Sequence, residues 1–210
     1  IVGHDNRFLG PEFASSVMGL LLKEGIKVYY AGETTTPELS AAVCVLPAAC
    51  SINITPSHNP SNYAGLKFNP SDGGPAGPEI TDIIEKIANR MMTEKAIIPE
   101  IKPQGFQTIN TLQLYKDFIE KQGTLNVEKI RGFVKEKDCF ICIDHVHGAS
   151  RGRPDALIGK NPKIKCLRTE DNYLFGGIAP EPSAKNMKLV MDSLKESKST
   201  FKIGVFVDPD

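Results

Sequence analysis

The 210-residue sequence has no tryptophan, which weakens any function built on aromatic cages or stacking platforms. It has no charge of prevailing sign. Lys and Arg together number 25, and so do Asp and Glu, so no general field draws the chain to nucleic acid or an anionic membrane. It also lacks an apolar run near the about 18 residues needed to cross a bilayer. Its five cysteines are odd in number and irregularly spaced, which excludes a disulfide framework and fits a reducing compartment, hence a cytoplasmic location. Cys139 and Cys142 have C-x-x-C spacing, but they lie inside an apolar run, where three-residue spacing in a strand points side chains to opposite faces; buried packing is the expectation. Asn53-Ile54-Thr55 matches a glycosylation sequon by chance, in a strand-like setting with no signal peptide.

What remains is an ordinary globular composition, 40% hydrophobic and 24% charged, enough for one large or two small domains. Helical and strand patterns alternate along it. Pro11 opens a helix whose apolar spacing runs through Phe13, Val17, Leu20 and Leu21 and which closes at Gly25. Residues 27–31 read as a strand. Thr36 and Pro37 read as an N-cap and first helical residue, and residues 49–54 as the next strand. A loop rich in Pro, Asn, Ser and Gly covers residues 55–78. Ile80, Ile83, Ile84, Ile87 and Met91 form a helical stripe expected to pack in the core. Residues 96–108, with Pro99, Pro103 and Gly105 and no periodicity, read as a linker. Beyond it, Leu114 and Phe118 mark a helix. Residues 138–144, 163–167 and 202–207 are strands, with helices ending near Ile158 and around Val190. Nearly unbroken apolar strands alternating with helices predict an α/β fold with mainly parallel, buried sheets. The first and last residues read as the interior of a longer chain, since the sequence opens as a strand is ending and stops within an acidic run.

Two stretches carry chemistry. Thr55-Pro56-Ser57-His58-Asn59-Pro60 follows an apolar strand directly, where α/β folds place functional groups. A hydroxyl held between two prolines serves as a nucleophile or phosphate carrier, with Lys67 further along the same loop; the alternative is a polar turn that bonds its own backbone. Asp208-Pro209-Asp210 follows the last strand, and its two carboxylates suit Mg²⁺; the alternative is a solvated acidic turn. Asp5 and Arg7 follow the first strand and fit either a phosphate-binding pair or a surface ion pair. His145 and His147 lack an evident third ligand and read as a turn with satisfied imidazoles.

Together these residues resemble the alpha-D-phosphohexomutases, the phosphoglucomutase/phosphomannomutase family. The 55–60 loop is similar to the family's phosphoserine loop T-A-S-H-N-P, with Pro56 in place of Ala. Tyr63-Ala64-Gly65-Leu66-Lys67 resembles Y-N-G-x-K, Gly3-His4-Asp5-Asn6-Arg7 resembles G-R-D-x-R, and Thr36-Pro37 resembles a T-P that opens a helix. Asp208-Pro209-Asp210 looks like the start of the metal loop D-x-D-x-D-R.

The resemblance implies two consecutive three-layer α/β/α domains with mainly parallel mixed sheets. Residues 1–100 would be domain I without its first strand, and residues 108–210 domain II up to the metal loop. It implies an intramolecular phosphotransferase, an isomerase that interconverts hexose 1-phosphate and hexose 6-phosphate through a phosphoserine and a hexose 1,6-bisphosphate, which also serves as activator. Ser57 would carry the phosphoryl group, with His58 and Lys67 assisting proton transfer. Asp5, Arg7 and Asn59 would support substrate or loop. Ser57, Asp208 and Asp210 would hold Mg²⁺. The partners implied are a phosphorylated hexose and the C-terminal domains of the same enzyme, with neither nucleic acid nor membrane. A chain ending here is expected to be inactive alone. Two other readings stand beside it: a haloacid-dehalogenase-type phosphatase with Asp208 as nucleophile, and a non-catalytic module that binds phosphosugars.

Overall fold

A computed structural model describes residues 1–123 and 125–210. The chain folds around two sheets. The first takes its centre from β1 (Val2–His4), which pairs in parallel with β2 (Tyr29–Glu33) and β3 (Cys50–Ile54). Val2 is fully buried there and packs with Ala14, Met18, Val28 and Ile54. The crossover helix α1 (Gly10–Lys23) begins with Pro11 in its first turn, where the missing N–H costs nothing. Its buried face is Gly10, Ala14, Met18 and Gly19, and Phe13 is 44% exposed. The face is thus rotated from the one the bulky residues mark. Small side chains admit close backbone approach, and a Cβ on Gly19 would lie 2.0 Å from the Ile101 carbonyl oxygen.

The second crossover helix, α2 (Thr36–Val45), buries Leu39, Ala42 and Val43 against Ile1 and, from the far side, Leu114. Its N-cap is Thr35, not Thr36; the Thr35 hydroxyl accepts from the Glu38 backbone N–H, which leaves the Thr36 side chain free to act elsewhere.

Three further features depart from the sequence reading. The 55–78 stretch contains a strand, β4 (Leu66–Pro70), antiparallel to β3, so Lys67 sits on a strand and not a loop. Helix α3 (Pro78–Thr93) forms, but none of its residues is buried, and Ile83 is 60% exposed. A periodic stripe makes a helix amphipathic without specifying a partner, and among the described residues no element buries this one. Within the stretch read as a linker, β5 (Gln107–Thr108) adds a parallel strand beside β2, completing the order β4-β3-β1-β2-β5. The following helix α4 (Thr111–Gln122) packs on α2.

Helix α5 (Val127–Glu136), which the sequence reading does not anticipate, leads into the second sheet. That sheet is wholly parallel in the order β7-β6-β8, with β6 (Cys139–Asp144) central, β7 (Ile164–Leu167) and β8 (Phe201–Phe206) beside it, and α6 (Arg153–Ile158) and α7 (Lys188–Glu196) as connections. Cys139 and Cys142 are buried in β6, as expected of packing residues. The architecture is α/β with mainly parallel sheets. No helix among the described residues is long and apolar enough to cross a membrane.

Strand register sets up the site. His4 pairs with Glu33 and Ile54, so β1, β2 and β3 end level, and Asp144 pairs with Leu167 and Phe206, so β6, β7 and β8 do too. The loops leaving these carboxyl-terminal edges meet each other, the position at which open α/β sheets bind ligands.

Candidate active site

Ser57 leaves β3 on a loop that stitches itself together. The Ser57 N–H donates to the Thr55 hydroxyl (3.0 Å), and that hydroxyl donates to Asp5 Oδ2 (2.8 Å). The Asn59 side-chain amide donates to the Pro56 carbonyl (3.0 Å). Ser57 has φ 58°, a left-handed conformation that costs a non-glycine residue about 1–2 kcal/mol. Such a position persists only where surrounding contacts over-determine it. Here Arg7 supplies them. Its guanidinium donates to the carbonyls of Ser57 (2.7 Å), Asn59 (2.6 Å) and Pro60 (2.6 Å), and its Nε to Asp5 Oδ2 (3.0 Å). Gly65 lets β4 begin close by, since a Cβ there would lie 2.8 Å from the Thr55 carbonyl oxygen.

The Asp5–Arg7 pair is therefore not a surface ion pair. Both residues are buried, and Arg7 bonds the loop carbonyls and Asp5. Burial pushes the Asp5 carboxyl up to about 6, against the opposing pull of Thr55 and Arg7. Asp5 Oδ1 has no hydrogen-bond partner.

From the second sheet, the acidic loop after β8 reaches across. The Ser57 hydroxyl donates to Asp208 Oδ2 (3.2 Å), and His58 Nδ1 lies 3.9 Å from the same oxygen. Lys67 reaches Asp210 Oδ2 (2.7 Å), and Thr36 donates to that oxygen (2.9 Å) while accepting from the Asn53 side-chain amide (3.1 Å). Ser57, His58, Lys67, Asp208 and Asp210 thus converge, with Asn59 on the same loop, although Lys67 meets the acidic loop and not Ser57 itself.

The two carboxylates differ. Burial pushes Asp208 up to about 6, helped by the neighbouring Asp210 carboxyl and opposed by Ser57 and Lys67. Burial would raise Asp210 also, but hydrogen bonds from Lys67, Asp208 and Thr36 outweigh it and hold that carboxyl below the usual range. Two like charges this close separate into a more and a less basic member.

The acidic loop is held by a turn that the sequence marks only by a pair of histidines. Val146 and His147 both have positive φ, and Gly148 follows. A Cβ on Gly148 would lie 2.4 Å from Pro209 Cα, and the Ala149 N–H donates to the Pro209 carbonyl (2.7 Å). The same turn grips the first sheet, since the Asn6 amide donates to the His147 carbonyl (2.7 Å). Arg151 donates to Glu33 (2.9 Å) and Arg153 to Glu38 (2.9 Å), two further ties across the junction. His145 bonds Ser150 (2.8 Å) and His147 the Glu170 carbonyl (2.9 Å), and the two are not joined in a metal site.

Among the described residues no cluster of three or more His, Cys, Asp or Glu is arranged to hold a metal. The donor set for a hard cation is smaller: the Ser57 hydroxyl and Asp208, whose Oδ1 is buried without a partner, with Asp210 beside them but engaged by Lys67. An orphaned carboxylate oxygen next to a hydroxyl oxygen fits Mg²⁺ chemistry.

Residues 1–95 match the sequence model of phosphoglucomutase/phosphomannomutase, alpha/beta/alpha domain I. A phosphoglucomutase of Staphylococcus epidermidis is 29% identical over 157 residues, covering 71% of this chain and 27% of its own length. Phosphoglucomutase-1 of Oryctolagus cuniculus is 27% identical over 231 residues, covering 96% of this chain and 40% of its own. A crystal structure from Thermus thermophilus, assigned as a phosphomannomutase, superposes with a TM-score of 0.78 at 30% identity, over 97% of this chain and 45% of that one. A phosphoglucomutase/phosphomannomutase family protein of Burkholderia thailandensis shares the fold, with a TM-score of 0.71 at 22% identity. The chain thus spans between about a quarter and two-fifths of the length of these curated relatives.

Proposed function

Because the chain belongs to the alpha-D-phosphohexomutase family, we propose that it carries the phosphoserine loop and the first acids of the metal loop of a phosphohexose mutase. The reading takes residues 1–100 as domain I and 108–210 as domain II, with β5 at their boundary completing the first sheet and α4 packing on α2. The observation that supports it most is the 3.2 Å bond from the Ser57 hydroxyl to Asp208, which brings a strand-exit serine from one sheet against a strand-exit carboxylate from the other.

In this reading a phosphorylated Ser57 gives its phosphoryl group to the free hydroxyl of a hexose monophosphate, the 1,6-bisphosphate so formed reorients, and its other phosphoryl group returns to the Ser57 oxygen. Each transfer forms an O–P bond at one oxygen and breaks one at the other. Asp208 accepts the hydrogen bond of the Ser57 hydroxyl and so orients that oxygen, and the Ser57 proton is passed to the sugar oxygen freed as the phosphoryl group leaves. Lys67, on the adjacent strand, holds Asp210 and stands within the same site to give or take the sugar hydroxyl proton. Arg7 and Asp5 keep the loop in its left-handed shape, and the exposed His58 borders the entrance. Mg²⁺ at Ser57, Asp208 and Asp210 would supply charge neutralisation for the transferring group. Catalysis otherwise rests on positioning, which the cross-sheet bonds provide.

The test is intact-mass analysis after incubation with hexose 1,6-bisphosphate and Mg²⁺. The expected result is an adduct of ~80 Da mapped to Ser57 and absent from Ser57→Ala. An adduct on Asp208 would instead favour the phosphatase reading, and binding without any adduct the non-catalytic one. Sustained mutase turnover by the 210 residues alone is not expected, because they span 45% or less of the relatives' length; a coupled assay on hexose 1-phosphate measures it.

A further inference from the structure

The Ser57 loop is held from below by Arg7, and Arg7 is itself held by a residue from the other sheet. Its guanidinium carbon lies 4.8 Å from the centre of the Phe175 ring. Phe175 is fully buried, in a short 3-10 turn (Phe175–Gly177) between β7 and α7. The turn is an unusual one. Phe175 has φ 51°, and Gly176 and Gly177 are also left-handed. A Cβ on Gly176 would lie 3.5 Å from His147 Nε2, so the turn sits beside the His147 turn that Asn6 grips. A left-handed phenylalanine therefore backs the guanidinium that holds a left-handed serine.

We propose that Phe175 is a positioning residue for Ser57: by stacking under Arg7 it makes the shape of the serine loop depend on docking of the second sheet's turn against the first. The proposal rests on Ser57 being the phosphoryl-carrying residue, but its structural half does not. The guanidinium has three carbonyls to satisfy at once, and a planar fork does so only in one orientation. The Phe175 ring, 4.8 Å from the guanidinium carbon, restricts that orientation, while Asp5 holds the Nε edge. Without the ring, the fork keeps its charge and its bond to Asp5 but gains freedom to tilt, and the three carbonyls lose their common anchor. Asp208 thus meets the side chain of Ser57 while Arg7 holds its carbonyl, and the second sheet supplies both Asp208 and the Phe175 ring behind Arg7.

The test uses the 210-residue chain and two variants, Phe175→Leu and Arg7→Lys. Hydrogen exchange is read at the amides of Ser57, Asn59 and Tyr63, which are bonded within the loop, and at the β6 amides. Acquisition of phosphate from hexose 1,6-bisphosphate is read alongside. Both variants are expected to exchange the loop amides about tenfold faster with β6 unchanged, and to slow the maximal rate of phosphate acquisition more than they weaken bisphosphate affinity. Unchanged loop exchange overturns the proposal. So does loss of protection throughout the chain in Phe175→Leu, which would make Phe175 an ordinary core residue. If the unsubstituted chain takes no phosphate on Ser57, the functional reading fails and the exchange result still decides the clamp.

Discussion

Replacing Asp5 by Asn changes one charge and little else. Asp5 is fully buried, its Oδ2 accepts from Arg7 and Thr55, and its Oδ1 has no partner. An Asn at this position keeps an oxygen for both donors and puts its amide where the orphaned oxygen stood. The carboxyl is displaced from 3.8 to about 6, chiefly by burial, so the folded state holds its proton more tightly than the unfolded state does. The stability it contributes is then fully present below about pH 3.8 and is lost as the pH rises through about 6. A displacement of that size corresponds to about 3 kcal/mol, with no discount for solvent because the side chain is fully buried. Asp208 titrates in the same window, but its side chain is 39% exposed and it is present in both proteins, so it cancels in the comparison. Urea unfolding of both proteins at several pH values between about 4 and 7 measures the difference. Any difference in hydrogen bonding adds an offset at all pH values, whereas the attraction to Arg7 is already contained in the displaced pKa, so the stability of Asp5→Asn relative to the parent should climb by up to about 3 kcal/mol across the window. Parallel pH curves would refute the reasoning and mean that Arg7 and Thr55 fully offset the burial.

The other expectations concern the junction and the site. Glu38 is 2% exposed and accepts from Thr34, Thr111 and Arg153, so Glu38→Ala leaves Arg153 Nε and one hydroxyl of the mutually bonded Thr34–Thr111 pair without an acceptor and should cost about 2–4 kcal/mol in urea unfolding. Glu38→Gln, which keeps the neutral bonds, should cost less than half of that. Gly148→Ala drives a methyl into Pro209 and should displace the acidic loop, costing about 1–3 kcal/mol and slowing phosphate acquisition by Ser57; an unchanged rate would mean that the loop is not held there. Lys67→Met removes the principal bond that lowers Asp210, so the Asp210 carboxyl should titrate at higher pH by carbon-detected NMR, and an unmoved midpoint would disprove that pairing.

How far such a site is readable in a sequence depends on which force places each residue. Ser57 and Asp208 stand out because an apolar strand stops abruptly at turn chemistry, and that pattern is local: β3 ends at Ile54 and β8 at Phe206, as the runs indicate. That the two meet is not local, and only a resemblance between motifs suggests it. Lys67 reads as a loop residue because Leu66-Lys67-Phe68-Asn69-Pro70 is a short edge strand ending in proline, with no apolar run to announce it. The α3 stripe identifies a helix and its apolar side correctly, yet its exposure shows that periodicity carries no information about a partner.

Arg7 is the most instructive case. Its charge points to a ligand phosphate, while the structure turns it inward to three carbonyls, because a loop carrying a left-handed serine has carbonyls that no sheet or helix satisfies. With Arg7 buried in that role, Phe175 backs its guanidinium from a glycine-rich turn with no periodicity to mark it. The need for the second sheet is thus already contained in the conformation of one residue in the first, but it becomes visible only when each carbonyl of that loop is assigned a donor.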